Sequence, residues 1–247
     1  MELDVIVLGT GAAGLTAAIV ADAHGAGVGV LEKGVEVGGT SAWSGGLVWI
    51  PNNPHMAELE IPDSRGEALT YLASTSHGMI EPELAAAYVD AGPEMVTFME
   101  ANSPVVFRTI PGFPDYHPEF PGGKPGGGRS LECPVFSFKE LGEWAGRVTV
   151  GRQMGGNQSL GEGPLGGIHT PLPREELARR RDNDERGYGE ALVGRLLKGC
   201  LDRGIKPRTG ARAVELVMDG GRVAGVRFES REGIFKVGAR GGVVLGA

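Results

Sequence analysis

Apolar and polar positions change period several times along the chain, and each change marks an element. Val5-Ile6-Val7-Leu8 is an apolar run of strand length, Ala12 onward is an alanine-rich helical segment, and Val28-Gly29-Val30-Leu31 is a second strand. From about Asp63 to Asn102 apolar residues recur at helical spacing through Ala68, Leu69, Leu72, Leu84, Val89, Val96 and Met99. That predicts two or three amphipathic helices with core tyrosines and methionines, and with Pro82 and Pro93 near helix starts. Phe107 to about Gly167 has no period and is rich in Gly, Pro and aromatics, as expected of a folded cap over a site. Regular spacing returns with a helix over Tyr188–Arg203, stopped by Gly204. Ile205–Arg208 then reads as a short strand. Ala213–Met218, Arg222–Glu229 and Gly233–Ala239 read as an antiparallel meander, and Gly242–Ala247 as a buried parallel strand.

The first strand ends in Gly9, Gly11 and Gly14 at GxGxxG spacing, directly before the helix. In such a turn Gly9 permits the sharp reversal, Gly11 lets backbone approach a pyrophosphate, and Gly14 lets helix and strand pack closely. The helix N-terminus presents unpaired N–H groups to the anion. Glu32 closes the second strand eighteen residues past Gly14, where a carboxylate accepts from a ribose hydroxyl and repels a 2′-phosphate. The expectation is an adenine dinucleotide. Immediately after it, Gly38-Gly39-Thr40-Ser41-Ala42-Trp43-Ser44-Gly45-Gly46 packs glycines and hydroxyls densely enough to lie against a flat or anionic ligand.

Composition adjusts this picture only in places. The 43 glycines in 247 residues exceed the usual share of roughly 7%, but they follow no collagen period and fall between apolar runs, as turns do. A net charge of −7 without a Lys/Arg-rich segment long enough to track a phosphate backbone speaks against nucleic-acid binding. Arg179-Arg180-Arg181 is bracketed by acids and reads as a solvated, salt-bridged helix end. Cys133 and Cys200 stand far apart and the five histidines are scattered, so neither a disulfide framework nor a metal site is expected. No apolar stretch has the length of a membrane span and the N-terminus lacks a signal pattern, so a cytoplasmic protein is expected.

Taken together, the GTGAAG turn with Glu32, the GGTSAWSGG loop, the helix from Tyr188, the meander and the VVL strand resemble the fumarate reductase and 3-ketosteroid dehydrogenase flavoproteins. Trp49-Ile50-Pro51, Phe113-Pro114-Asp115-Tyr116 and Gly128-Arg129-Ser130 are most similar to the 3-ketosteroid Δ1-dehydrogenase branch. The resemblance implies an α/β, Rossmann-like FAD-binding fold in which a βαβ parallel sheet and an antiparallel meander carry an inserted cap. Residues 1–55 and 186–247 would form the two parts of the FAD-binding domain, and residues 56–185 the helical and Gly/Pro-rich cap. The implied cofactor is FAD, with Gly9, Gly11, Ala13 and Gly14 at the pyrophosphate and Glu32 on the ribose. Gly39, Thr40, Ser41, Ser44, Gly45 and Gly46 would lie near the phosphates and flavin, and Ala213 and Val214 near the adenine.

The implied reaction makes an enone from a ketosteroid or similar ketone, with hydride passing to the flavin. Tyr116 matches a family tyrosine that lines the active site and supports the proton-abstracting tyrosine. Family members are about twice as long, and their remaining catalytic groups would lie beyond residue 247. The chain is therefore expected to be an incomplete, N-terminal portion, catalytically silent alone. Two alternatives stay open: a non-catalytic flavin-binding fragment or subunit needing a C-terminal partner chain, and an NAD-dependent Rossmann enzyme, which the GGTSAWSGG loop argues against.

Overall fold

The computed structural model describes residues 3–151 and 156–247. Strand β1 (Leu3–Leu8) leads through the glycine turn into helix α1 (Ala12–Ala23) and on to β2 (Val28–Leu31), which pairs with β1 in parallel, Val5 opposite Val28 and Leu8 opposite Leu31. The strand is apolar on both faces because both are covered. Val7 packs with Leu15, Ala18 and Ile19 of α1, whereas Ile6 and Leu8 belong to a second apolar cluster containing Val226, Phe228 and Ala239.

Next come α2 (Gly39–Trp43), β3 (Val48–Trp49), α3 (Pro54–Glu58), α4 (Arg65–Thr75) and α5 (Pro82–Asn102). Pro82 starts α5, but Pro93 lies inside it, contrary to the sequence expectation. A proline removes one N–H donor and crowds the preceding turn. Here the helix runs through because Val89, Val96 and Met99 are buried on one face and Gly92, beside the proline, sits close against Ile50. Tyr71 is buried as expected; Tyr88 is only about half-buried and donates its hydroxyl to the Trp49 carbonyl.

The aperiodic stretch contains β4 (Arg108–Pro111), β5 (Gly127–Glu132) and β6 (Phe136–Ser137), with 3-10 turns at Phe138–Arg147, Leu160–Glu162 and Pro164–Gly166. β3, β5 and β4 form a small antiparallel sheet in that order. Helix α6 (Arg174–Asp182) follows, and β7 (Glu185–Arg186) pairs with β6. Arg180 of α6 is buried, with its guanidinium on Glu162 and Glu176, so the arginine run is solvated only in part. The acids flanking it in sequence did not reveal Glu162, which reaches it from a turn eighteen residues upstream.

Helix α7 (Tyr188–Asp202) packs on α1 and α2, and β8 (Arg212–Asp219), β9 (Arg222–Ser230) and β10 (Gly233–Leu245) complete a five-stranded sheet ordered β2-β1-β10-β9-β8. The expected strand at Ile205–Arg208 reduces to one bridge, Leu31 to Arg208, because Pro207 has no N–H for a ladder. The third meander strand and the final strand are one element. β10 runs antiparallel to β9 as far as Gly238 and then parallel to β1 from Ala239 to Leu245. Nor is its end buried: Val244 is 37% exposed and Leu245 70%.

Candidate functional site

At the C-terminal ends of β1, β2 and β10 lies a cleft of roughly 660 Å³, the position where ligands bind in open α/β sheets. Its floor is backbone. Gly9 has φ +103°, which L side chains rarely adopt, and a Cβ there would meet the Gly246 carbonyl at 2.8 Å. A Cβ on Gly14 would stand 2.2 Å from the Gly9 carbonyl oxygen, so only glycine lets α1 start this close to the strand it follows. Gly11 caps α1 without a side chain, and Ser41 reaches across to accept the Ala12 N–H at 3.0 Å. Among the described residues no hydrogen bond uses the N–H of Ala13 or Gly14, and the first turn of α1 carries no acid. The turn therefore offers donors and the positive end of the helix dipole to an anion.

Glu32 stands at the end of β2 with its carboxylate in the cleft wall. It accepts from the Thr10 amide at 3.0 Å, the Thr10 hydroxyl at 2.6 Å and the Gly34 amide at 2.7 Å.

A second hollow of roughly 350 Å³ opens beside Tyr116 and is walled by Leu47, Trp49, Tyr71, Leu72 and His117. No residue lines both hollows. Tyr116 is 82% exposed, yet both of its neighbours are fixed. The Asp115 carboxylate accepts from Trp49 Nε1 at 2.7 Å and from Arg129 and the Lys124 amide at 2.9 Å each; the His117 amide donates to the Tyr71 hydroxyl at 3.2 Å. Arg129 is 0% exposed and is the centre of this region. It binds Asp63 through two nitrogens at 2.7 and 2.9 Å, binds Asp115 and the Gly122 carbonyl, and lies about 5.5 Å from the Trp49 and Tyr71 ring centres. Burial pushes the Asp63 carboxyl up, but the hydrogen bonds from Arg129 and from the Asn52 and Ser64 amides, with the guanidinium charge, hold it below the ordinary carboxylate value.

Cys133 and Cys200 are both buried and unpaired, and burial pushes each thiol up to about 12. Among the described residues no cluster of His, Cys, Asp or Glu could hold a metal ion, and no helix is long and apolar enough to cross a membrane.

A family described as FAD binding domain matches residues 4–247. The chain belongs to this FAD-binding domain family. It is 37% identical to a 3-oxosteroid 1-dehydrogenase of Mycobacterium tuberculosis over 91% of its own length and 42% of the relative's. To a 4-oxocyclohexanecarboxylate 2-dehydrogenase of Sinomonas cyclohexanicum it is 38% identical, over 94% of this chain and 41% of the relative. The chain thus spans about two-fifths of the length of these curated relatives. A crystal structure of 3-ketosteroid delta1-dehydrogenase from Sterolibacterium denitrificans in complex with 1,4-androstadiene-3,17-dione superimposes with a TM-score of 0.85 at 30% identity, covering 100% of this chain and 47% of that one. A flavocytochrome c3 fumarate reductase, at 18% identity and a TM-score of 0.61, shares the fold.

The cofactor of this FAD-binding domain is FAD, and the residues present fit it: a glycine turn without Cβ atoms, unpaired helix amides for a pyrophosphate, and a carboxylate for a ribose. Of the residues singled out from sequence, Gly9, Gly11, Glu32, Gly39, Thr40, Ser41 and Ala213 line one cleft. Ala13 and Gly14 lie at the start of α1, with Gly14 packed under the turn. Ser44, Gly45, Gly46 and Val214 are not part of the cleft wall. The Ser44 hydroxyl donates to the Ser41 carbonyl and accepts from the Gly46 amide, so it shapes the loop, and Gly46 lies tight against the Tyr188 backbone. Tyr116 lies in the other hollow. Sequence reasoning missed Thr10, Ala211, Arg212 and Gly246 in the wall, and had Gly38 only as part of the ligand-facing loop. Thr10 had a signal, a hydroxyl inside the glycine turn; Ala211 and Gly246 are brought in only by tertiary pairing.

Proposed function

We propose that this chain is the FAD-holding portion of an oxidoreductase that dehydrogenates a cyclic ketone next to its carbonyl, giving an enone. The observation that carries this reading is the likeness, at 37% and 38% identity, to two dehydrogenases whose names both denote ketones carried on rings, a 3-oxosteroid and a 4-oxocyclohexanecarboxylate. When bound, FAD supplies the hydride acceptor. The chain's own residues would do the rest of the work assigned here. The glycine turn and α1 hold the pyrophosphate, Glu32 and Ala213 the adenosine. The flat walls Trp49 and Tyr71 suit an alicyclic ring, and Tyr116, with its backbone pinned through Asp115 and His117, would support proton removal from the ring carbon. Residues 1–55 and 186–247 would serve the cofactor and residues 56–185 the substrate. Buried free thiols accord with a cytoplasmic location.

One observation favours a second arrangement, in which a C-terminal partner segment or chain completes the site. The cleft and the Tyr116 hollow share no wall residue. A visible spectrum of the purified protein, followed by assays on a 3-oxosteroid and on 4-oxocyclohexanecarboxylate with an artificial electron acceptor, tests both. Flavin absorbance, with turnover in a single chain that also carries the remaining catalytic groups and a lower rate there in Tyr116→Phe at unchanged flavin content, supports the first reading. Flavin absorbance without turnover on either ketone supports the second, and absence of flavin rejects both.

A further inference from the structure

The Glu32 carboxylate is almost filled before any ligand reaches it. Oε2 accepts twice from a single residue, from the Thr10 amide and the Thr10 hydroxyl, and Oε1 accepts from the Gly34 amide. A carboxylate has about four lone-pair directions, so one is left, on Oε1. Thr10 is itself held on both sides. It is 0% exposed, its hydroxyl proton goes to Glu32, and its oxygen accepts the Gly38 amide at 3.0 Å. Gly38 in turn is closely packed, since a Cβ there would meet Ala42 and Val193 at 2.9 Å. One hydroxyl therefore joins the glycine turn, the end of β2 and the start of α2, three segments that all line the cleft.

We propose that Thr10 is a positioning residue for adenosine recognition: it fixes the Glu32 carboxylate so that Oε1 alone takes a single ribose hydroxyl. The inference deepens the FAD assignment and rests on it. A carboxylate free to turn grips two vicinal hydroxyls, one on each oxygen. A carboxylate with Oε2 filled grips one and is indifferent to the other. Thr10 acts on the ribose through Glu32, so losing its hydroxyl should remove the preference for that one ribose hydroxyl rather than lower affinity for every adenine nucleotide alike.

The test is calorimetric titration of the protein with ADP, 2′-deoxy-ADP and 3′-deoxy-ADP, probes that carry the pyrophosphate and the ribose without the flavin. In the parent protein one deoxy analogue should bind roughly ten- to a hundredfold more weakly than ADP, the range for a hydrogen bond to a charged group, and the other should bind like ADP. In Thr10→Val the gap between ADP and the discriminated analogue should close, through weaker ADP binding, and Thr10→Ser should restore it. Equal loss for both analogues in the parent would overturn the single-hydroxyl geometry, whatever becomes of the variants. An undiminished gap in Thr10→Val, or equal weakening of all three ligands, would overturn the role of Thr10. Failure of ADP to bind, together with absence of flavin absorbance in the parent protein, would instead reject the cofactor assignment on which the inference stands.

Discussion

The dinucleotide cleft and the hollow beside Tyr116 are both concave and both carry sequence motifs, but they are made of different materials. The cleft is made of backbone: glycines whose missing Cβ atoms let strand, turn and helix approach within 2.2 to 2.9 Å of where a side chain would begin. The hollow is made of side chains hung from a buried arginine and two buried aspartates. The first construction tolerates many neighbours and no added methyl group at its tight points. The second tolerates changes of shape at its exposed tyrosine and no change of charge at its centre.

The largest effect should come from violating the first rule. Gly14→Val places a Cβ in the Gly9 carbonyl, and the turn must open; the purified variant should be colourless, and a yellow, fully loaded protein would show that the turn is not the pyrophosphate site. The second rule is broken by Arg129→Met, which strands Asp63 and Asp115. Breaking a buried pair from one side costs about 3–5 kcal/mol, read by denaturant unfolding, with hydrogen exchange accelerated first over 107–132 while β1 stays protected. Uniform acceleration across both regions would mean that they do not melt separately.

Glu32→Ala removes one charged acceptor and should weaken FAD by about 1.5–3 kcal/mol, roughly tenfold or more by fluorescence titration, without touching the Tyr116 region. The smallest effect is acid sensitivity. Asp63 titrates in the folded protein below its ordinary 3.8, so its contribution to stability is complete above that value and is lost as pH falls through the depressed one. Trp49 lies against this cluster, so its fluorescence should report loosening of the cap in that acid window. The response should be flatter in Arg129→Met, where no guanidinium remains to depress Asp63.

This contrast also decides what could be read in advance. Gly9, Gly11, Gly14 and Glu32 were legible because backbone chemistry imposes fixed spacing on fixed residue types. Trp49, Asp115 and Arg129 stood out only as motifs of a resembling family. Nothing in their spacing announces that an indole, a carboxylate and a guanidinium up to 80 residues of sequence apart form one cluster. The span of α5 through Pro93 and the fusion of two strands into β10 escaped for a related reason: local breakers, a proline and a Gly241-Gly242 pair, were overridden by packing and pairing set elsewhere. Ile205–Arg208 failed the other way, since β-prone residues there meet a proline at the point where the ladder would start.

Strand β10 has a consequence for the order in which the molecule is made. Its second half pairs with β1, and Arg240 binds Asp4 across 236 residues of sequence. Strand β1 thus waits for β10 before its inner edge is hydrogen-bonded. Closure of so long a loop makes this a step of high contact order, slower than the local helix pairing of α4 with α5. On the ribosome, α1 and β2 can dock on β1 early, but the edge of β1 that faces β10 stays an open template until β10 emerges. The nucleotide cleft is therefore completed only when Gly246 arrives against Gly14.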